Sequence, residues 1–230
     1  MIEVIAFDAD DTLWHNESIY HFTQAQFAAL LAPYCTPETV EQRLYQTEMR
    51  NLQHYGYGVK SFTLSMIETA IELSEGKIRG GEIQQIIDFA RQMLREPVHL
   101  LAGVVETVTA LAKDYRLMVI TKGDLFDQES KVARSGLGDR FFAVEVVSVK
   151  NAEVYRALLA KHDIAPERFL MVGNSLPSDV LPVAEIGGRA VHIPYHITWQ
   201  HESGKVDDVA RQNCIELEDI RQLPALLRRL

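Results

Sequence analysis

Hydrophobic positions along the chain follow two different periods. A short apolar run at residues 2–7, rich in β-branched side chains, ends abruptly in acidic residues, which is typical of a buried strand. From there to residue 96 no comparable run occurs, and apolar side chains recur every three or four positions instead. This pattern predicts helices over 19–29, 62–73 and 83–94. Thr36 followed by Pro37 marks the start of a further helix.

Beyond Pro97 the two periods alternate. Strands are predicted at 116–121, 142–147, 168–172, 190–193 and 214–217, with helices at 104–113, 126–135, 152–162, 179–186 and 219–230. Such alternation indicates an α/β fold, a doubly wound, Rossmann-like parallel sheet. We expect a core domain formed by residues 1–14 and 98–230. We expect residues 15–97 to form an inserted all-helical cap above the carboxyl ends of the strands.

The charge balance excludes some partners. The 230 residues include 23 Lys and Arg against 32 Asp and Glu, a formal net charge of −9. This sign disfavours nucleic-acid and anionic membrane surfaces. The two cysteines, Cys35 and Cys214, lack metal-ligand spacing, and no apolar run is long enough for a membrane span. We therefore expect a cytoplasmic monomer or homodimer that binds neither nucleic acid nor membrane.

Polar residues with related chemistry follow four of the predicted strands. They are Asp8, Asp10 and Thr12 after the first strand, Thr121 and Lys122 after the second, Lys150 after the third, and Asn174 and Asp179 after the fourth. Carboxyl ends of parallel strands meet in one crevice. Clustered carboxylates repel each other unless a cation intervenes, and oxygen donors suit Mg²⁺. The residues thus indicate a magnesium site that also receives a phosphate group.

In order and spacing, these segments resemble the four motifs of the haloacid dehalogenase-like (HAD) hydrolases. The matching segments are Asp8-Ala9-Asp10-Asp11-Thr12, Thr121, Lys150 and Gly173-Asn174-Ser175-Leu176-Pro177-Ser178-Asp179. A helical insert between the first and second motifs resembles the C1 cap of subfamily I. The resemblance covers nearly the whole chain, and four motifs at consecutive strand ends are far more specific than one D-x-D-x-T.

The resemblance implies a role for each residue at the reacting phosphate. Asp8 would be the nucleophile that forms an aspartyl-phosphate. Asp10 would be the general acid for the leaving group and then the base for the attacking water. Thr121 and the backbone amide of Lys122 would hold the phosphoryl group, and Lys150 would neutralise its charge.

The implied metal site departs from the family at one position. Mg²⁺ would be bound by the carboxylate of Asp8 and the backbone carbonyl of Asp10. Family members commonly carry Asp where this chain has Asn174. An amide oxygen still coordinates Mg²⁺, but with one negative charge less, so we expect weaker metal binding. Whether Asn174 or Asp179 supplies the third ligand stays open at this point.

Together these observations predict a Mg²⁺-dependent phosphatase for a small phosphorylated metabolite. Asp10 favours phosphate transfer over dehalogenation, because halide loss needs no acid. A phosphomutase of the same family and a catalytically weak phosphometabolite-binding protein remain alternatives. In the cap, Arg50, Tyr57 and Lys60 are the candidates for substrate contact.

Overall fold

The chain forms two compact units. The computed structural model describes residues 1–196 and 214–230. A core unit comprises Met1–Glu17, Val98–Lys122 and Gln128–Leu230, and a helical unit comprises Ser18–Pro97 with Gly123–Asp127. The division falls three residues later than the expected cap boundary, and the segment at 123–127 groups with the helices, where Lys60 contacts Asp124.

Helices occupy the segments where the hydrophobic spacing predicts them. They are α1 Glu17–Leu30, α2 Pro37–Tyr55, α3 Val59–Leu73, α4 Gly80–Arg95, α5 Val104–Leu111, α6 Leu125–Arg134, α7 Ala152–Lys161, α8 Leu181–Glu185 and α9 Leu223–Leu227. Thr36 caps α2 as expected, since its hydroxyl accepts the N–H of Thr39 at 3.4 Å. None of the helices in the described part of the chain is both long and apolar enough to cross a membrane.

Two predicted helices differ from the observed ones because of proline. The segment at 179–186 begins as a π-helical turn, Leu176–Val180, and α8 starts only afterwards with Pro182 in its first turn. Proline has no N–H to continue a regular helix, but it fits a first turn. The last predicted helix, 219–230, is likewise reduced to a short 3₁₀ turn and α9, with Pro224 near the start of α9.

The strands of the core unit form one parallel sheet. The strands are β1 Val4–Phe7, β2 Arg116–Lys122, β3 Ala143–Val147, β4 Phe169–Gly173, β5 Arg189–His192 and β6 Ile215–Glu216. Their order in the sheet is β3-β2-β1-β4-β5-β6. The order reverses between β1 and β4, which is where doubly wound sheets bind their ligands. This confirms the predicted fold class.

Alternating residues of β1 face opposite sides of the sheet. Ile5 and Phe7 belong to one buried apolar cluster, whereas Val4 and Ala6 belong to another. Phe7 pairs with Val119 of β2 and, on the other side, with Val172 of β4. With β1 enclosed on both faces and both edges, the residues that follow it start from a fixed position.

The helical unit has an apolar core of its own. The buried cluster includes Phe27 of α1, Leu44 of α2, Met66 of α3 and Ile86 of α4. Each of the four helices therefore contributes one apolar face to a shared interior. The stability of this unit depends on that interior.

Shortening Met66 should therefore destabilise the protein much more than shortening a neighbour. Met66 is fully buried, whereas Leu64 on the same helix is 44% exposed. We expect Met66→Ala to lower the free energy of unfolding by about 2 to 5 kcal/mol. Leu64→Ala should cost less than about 1 kcal/mol. Urea denaturation of both variants measures the difference, and equal losses would contradict this account of the helical core.

Candidate active site

A buried lysine joins two aspartates at the carboxyl ends of the strands. Asp8 directly follows β1, and its N–H donates to the carbonyl of Val172 at 2.8 Å. The Nζ of Lys150 donates to Oδ1 of Asp8 and, at 2.6 Å, to Oδ1 of Asp179. All three side chains are buried. We call Asp8, Lys150 and Asp179 the buried triad.

When both of its carboxyl groups are ionised, the buried triad carries two negative charges and one positive charge. Burial raises the pKa of Asp8 to about 7, while the charge of Lys150 acts to lower it and that of Asp179 to raise it. Burial acts to lower the pKa of Lys150, but the two carboxylates outweigh this and raise it. Lys150 therefore stays charged at neutral pH, and a further cation would favour the ionised form of Asp8.

The turn after β4 shapes the far side of the triad. A Cβ at Gly173 would lie 2.1 Å from Oδ2 of Asp179, so this close approach requires glycine. The N–H of Ser175 donates to the same oxygen at 3.1 Å, and its hydroxyl accepts the N–H of Ser178 at 3.3 Å. Both carboxylate oxygens of Asp179 thus have a donor, and one of these donors is Lys150.

Oxygen donors suited to Mg²⁺ converge beside the triad. The hydroxyl of Thr12 lies 3.4 Å from Oδ2 of Asp8 and 3.2 Å from Oδ1 of Asn174. A carboxylate and an amide oxygen around one point match the ligand chemistry of Mg²⁺, which usually keeps several waters. Within 1–196 and 214–230, no three His, Cys, Asp or Glu side chains are grouped to hold a metal. One carboxylate and one amide oxygen would leave most of the coordination positions of a Mg²⁺ ion to water.

Asp10 lies among hydrogen-bond donors of its own. Its Oδ1 accepts the indole N–H of Trp14 at 2.7 Å. Its Oδ2 accepts from Nε2 of Gln128 at 2.8 Å, and Lys131 lies within 3.3 Å of both oxygens. These contacts hold the Asp10 side chain in one orientation.

Thr121 and Lys122 end β2, next to β1. Thr121 is 1% exposed, and its hydroxyl donates to the carbonyl of Lys122 at 3.3 Å. The ammonium of Lys122 donates to the hydroxyl of Ser178 at 3.0 Å. Lys122 thereby connects the end of β2 to the turn after β4. The roles of both residues toward phosphate stay predictions.

The three candidate substrate residues of the cap all lie in the helical unit. Arg50 donates to Glu68 at 3.2 Å, and Lys60 forms an ion pair of 2.9 Å with Asp124. Tyr57 is half-buried in the connection between α2 and α3. Each of the two cations therefore has an acidic neighbour within its own unit. Their contact with substrate stays a prediction.

Sequence reasoning did not assign Gln128, Lys131 or His192 to the site. Gln128 and Lys131 stand three residues apart on α6, a spacing that puts them on one face of a helix and could have indicated a joint role. His192 bridges Glu216 at 2.9 Å and the carbonyl of Asn174 at 3.0 Å. No sequence signal connects His192 to a glutamate on another strand.

A doubly wound sheet with an aspartate, a buried lysine and polar turns at its switch point is typical of α/β proteins that bind a ligand there. The family model of haloacid dehalogenase-like hydrolases matches residues 2–187. The chain belongs to this family, and it is a hydrolase. This confirms the resemblance seen in its four motifs.

Proteins from three other organisms are similar to this chain. A haloacid dehalogenase-like family hydrolase from Xanthomonas campestris has a crystal structure with 44% identity and a TM-score of 0.88, covering 99% of this chain and 91% of the other. A glyceraldehyde 3-phosphate phosphatase from Methanothermobacter thermautotrophicus is 24% identical over 99% of this chain and 100% of its own. Another from Pyrococcus furiosus is 24% identical, covering 84% of this chain and 81% of the relative.

Asp11 is a second buried carboxyl near the site. Its backbone is left-handed, with a φ of 61°, and its Oδ1 accepts the N–H of Asn16 at 2.8 Å. Its Oδ2 accepts the N–H of Glu17, the first residue of α1, at 3.0 Å. Burial raises the pKa of Asp11 to about 7, although these backbone donors act to lower it.

This raised pKa should make the protein less stable as the pH rises from about 4 to 7. In that window the unfolded carboxyl is ionised while the folded one keeps its proton, so each such group lowers the free energy of unfolding by about 1.4 kcal/mol per pH unit. Asp11→Asn tolerates the left-handed backbone and keeps an acceptor oxygen. The substitution should therefore make the fall in the free energy of unfolding between pH 4 and 7 less steep by about 1.4 kcal/mol per pH unit.

Urea denaturation across this pH range, with a chelator present, measures the slope. Asp163→Asn is the matched control, since Asp163 also has a left-handed backbone, with a φ of 55°, but is exposed. An unchanged slope in Asp11→Asn would show that the Asp11 carboxyl is ionised throughout.

Proposed function

We propose that the protein is a Mg²⁺-dependent phosphatase that hydrolyses a small phosphomonoester through an aspartyl-phosphate. The observation that carries this proposal is the position of Lys150, buried and in contact with Asp8. A fixed ammonium beside a carboxylate keeps that carboxylate oriented and reduces its repulsion of an incoming phosphate anion. Membership of the hydrolase family gives independent support.

In the first step a carboxylate oxygen of Asp8 attacks the phosphorus atom. A new O–P bond forms, and the bond from phosphorus to the leaving oxygen breaks. The leaving oxygen keeps that electron pair and takes a proton from the carboxyl group of Asp10, so the alcohol departs neutral. Thr121 and the N–H of Lys122 orient the phosphoryl group, while Lys150 stabilises its charge.

In the second step water attacks the phosphorus of the aspartyl-phosphate. The water gives a proton to the Asp10 carboxylate as its oxygen bonds to phosphorus. The bond between phosphorus and Asp8 then breaks, and its electron pair returns to the Asp8 carboxylate. Inorganic phosphate leaves, and both aspartates are back in their starting states.

For the metal we propose Asp8, the backbone carbonyl of Asp10 and Asn174 as the protein ligands. Bound Mg²⁺ would neutralise charge on the phosphoryl oxygens. Asp179 has a donor on each oxygen and a direct contact to Lys150. We therefore assign Asp179 to orienting Lys150 rather than to the metal.

The substrate we propose is a small phosphorylated metabolite. Two relatives named glyceraldehyde 3-phosphate phosphatase, each 24% identical, support this size and class. Phosphorylated three-carbon compounds are therefore the first to test. Arg50, Tyr57 and Lys60 are the residues of the helical unit that we propose to influence the choice among them.

Asp8→Asn should abolish phosphate release while leaving the fold intact, because the amide is nearly isosteric but is not a nucleophile. Phosphate release from glyceraldehyde 3-phosphate, other phosphorylated metabolites and 4-nitrophenyl phosphate measures this, with Mg²⁺ and with chelator. Asp139→Asn, an exposed aspartate, is the matched control.

Wild-type turnover in the Asp8→Asn variant would refute the assignment of the nucleophile. Hydrolysis that requires a bisphosphate activator would favour the mutase. Stabilisation of the wild type by a phosphorylated compound without turnover would favour the binding protein.

Asn174→Asp should lower the Mg²⁺ concentration for half-maximal activity by roughly tenfold, since a carboxylate attracts the ion more strongly than an amide does. Calorimetric titration with Mg²⁺ gives a second readout that does not depend on turnover. Asn151→Asp adds the same charge at an exposed position that caps α7. If both variants bind Mg²⁺ like the wild type, Asn174 is not a ligand.

A further inference from the structure

Two side chains of α6 contact Asp10 without having a role in the steps above. Nε2 of Gln128 donates to Oδ2 of Asp10 at 2.8 Å. Nζ of Lys131 lies 3.1 Å from Oδ1 and 3.3 Å from Oδ2. Because they stand three residues apart on one helix, both approach Asp10 from the same side.

Gln128 also connects Asp10 to the end of β2. It is 2% exposed, and its Nε2 donates a second hydrogen bond, at 3.0 Å, to the carbonyl of Lys122. Both amide hydrogens therefore have an acceptor, whereas Oε1 is buried without a partner among the described residues. A buried amide that satisfies only its nitrogen is oriented by those two acceptors. One of them is the carboxylate of Asp10, and the other is the carbonyl of Lys122 at the end of β2, which is proposed to hold phosphate.

Lys131 contacts both oxygens of the same carboxylate. Its side chain is 12% exposed, and Nζ donates at 2.8 Å to Oδ1 of Asn16 as well. Asn16 follows the loop that carries Asp10. The ammonium thus joins the carboxylate of Asp10 to the backbone segment beyond it, and its charge adds strength to the contact.

We propose that Gln128 and Lys131 are positioning residues for Asp10: they hold its carboxyl group at the distance from the phosphoryl-binding end of β2 that proton transfer to the leaving oxygen requires. This proposal rests on the proposed phosphatase function. Proton transfer demands hydrogen-bond distance, so a displaced carboxyl loses rate even when every catalytic group is present.

The leaving group distinguishes a positioning role from a structural one. The primary alkoxide of glyceraldehyde 3-phosphate needs a proton as it departs, whereas 4-nitrophenolate departs without one. A displaced Asp10 therefore slows the first turnover with the alkyl phosphate and not with the aryl phosphate. General damage to the site slows both alike.

The experiment measures the first turnover of both substrates by rapid mixing, with saturating Mg²⁺. For Gln128→Leu and Lys131→Met we expect the alkyl phosphate to react at least about tenfold more slowly, within the range that general acid catalysis contributes. Release of 4-nitrophenol in the first turnover should stay within about threefold of wild type. Asp10→Asn should show the same discrimination between substrates.

Two further variants serve as controls. Lys131→Arg keeps the charge and the donors, so it should retain first-turnover rates for both substrates. Glu129→Leu places an apolar side chain at an exposed position of the same helix and should also retain both rates. If Gln128→Leu does not fold, the comparison of Lys131→Met with Lys131→Arg is sufficient to test the proposal.

Equal losses with both substrates, or no loss with either, would overturn the positioning role and leave the phosphatase intact. A selective loss with the alkyl phosphate in Lys131→Arg as large as that in Lys131→Met would overturn it as well. Absence of turnover by the wild type with every phosphate ester would instead overturn the proposed function, and the role of Asp10 with it.

Discussion

The contact of one buried ammonium with two carboxylates is the constraint on which the site depends. Lys150 cannot be buried alone, since an unpaired charge away from water is unstable. Asp8, which follows β1, and Asp179, in the turn after β4, compensate its charge. Removing Lys150 would leave two buried carboxylates without their shared positive charge. Lys150 thus fixes the orientation of Asp8 and connects it to the turn after β4.

The sheet makes this contact possible through its strand order. Because β1 lies between β2 and β4, the residue after β1 is within reach of the turns after both neighbours. Asp8 is held to β4 by its backbone N–H, and Gly173 leaves room for Asp179 to fold back over the end of β4. The strand order of the doubly wound fold therefore brings the ends of β1 and β4 together, and the short polar turns that follow these strands contain the charged side chains.

Much of this arrangement could be predicted from the chain. Apolar spacing indicated the alternation of strands and helices, and the motif spacing indicated which strand ends carry charge. The first residues of α8 and α9, which have Pro182 and Pro224 in their first turns, were harder to predict from the sequence. A proline can begin a helix as readily as it ends one. The pairing of His192 with Glu216 and of Lys131 with Asp10 depends on tertiary packing, for which the sequence has no local signal.

The two aspartates of the first motif are held in different ways, and the proposed mechanism accounts for the difference. Asp8 would need one fixed orientation, since in that mechanism it would attack and be released at the same atom, and the buried Lys150 provides this. Asp10 would have to give a proton and later take one back. Its side chain is accordingly less enclosed: it is 23% exposed, and that of Lys131 is 12% exposed. A carboxylate held by three donors would keep its position while it exchanged protons with the leaving group and with water.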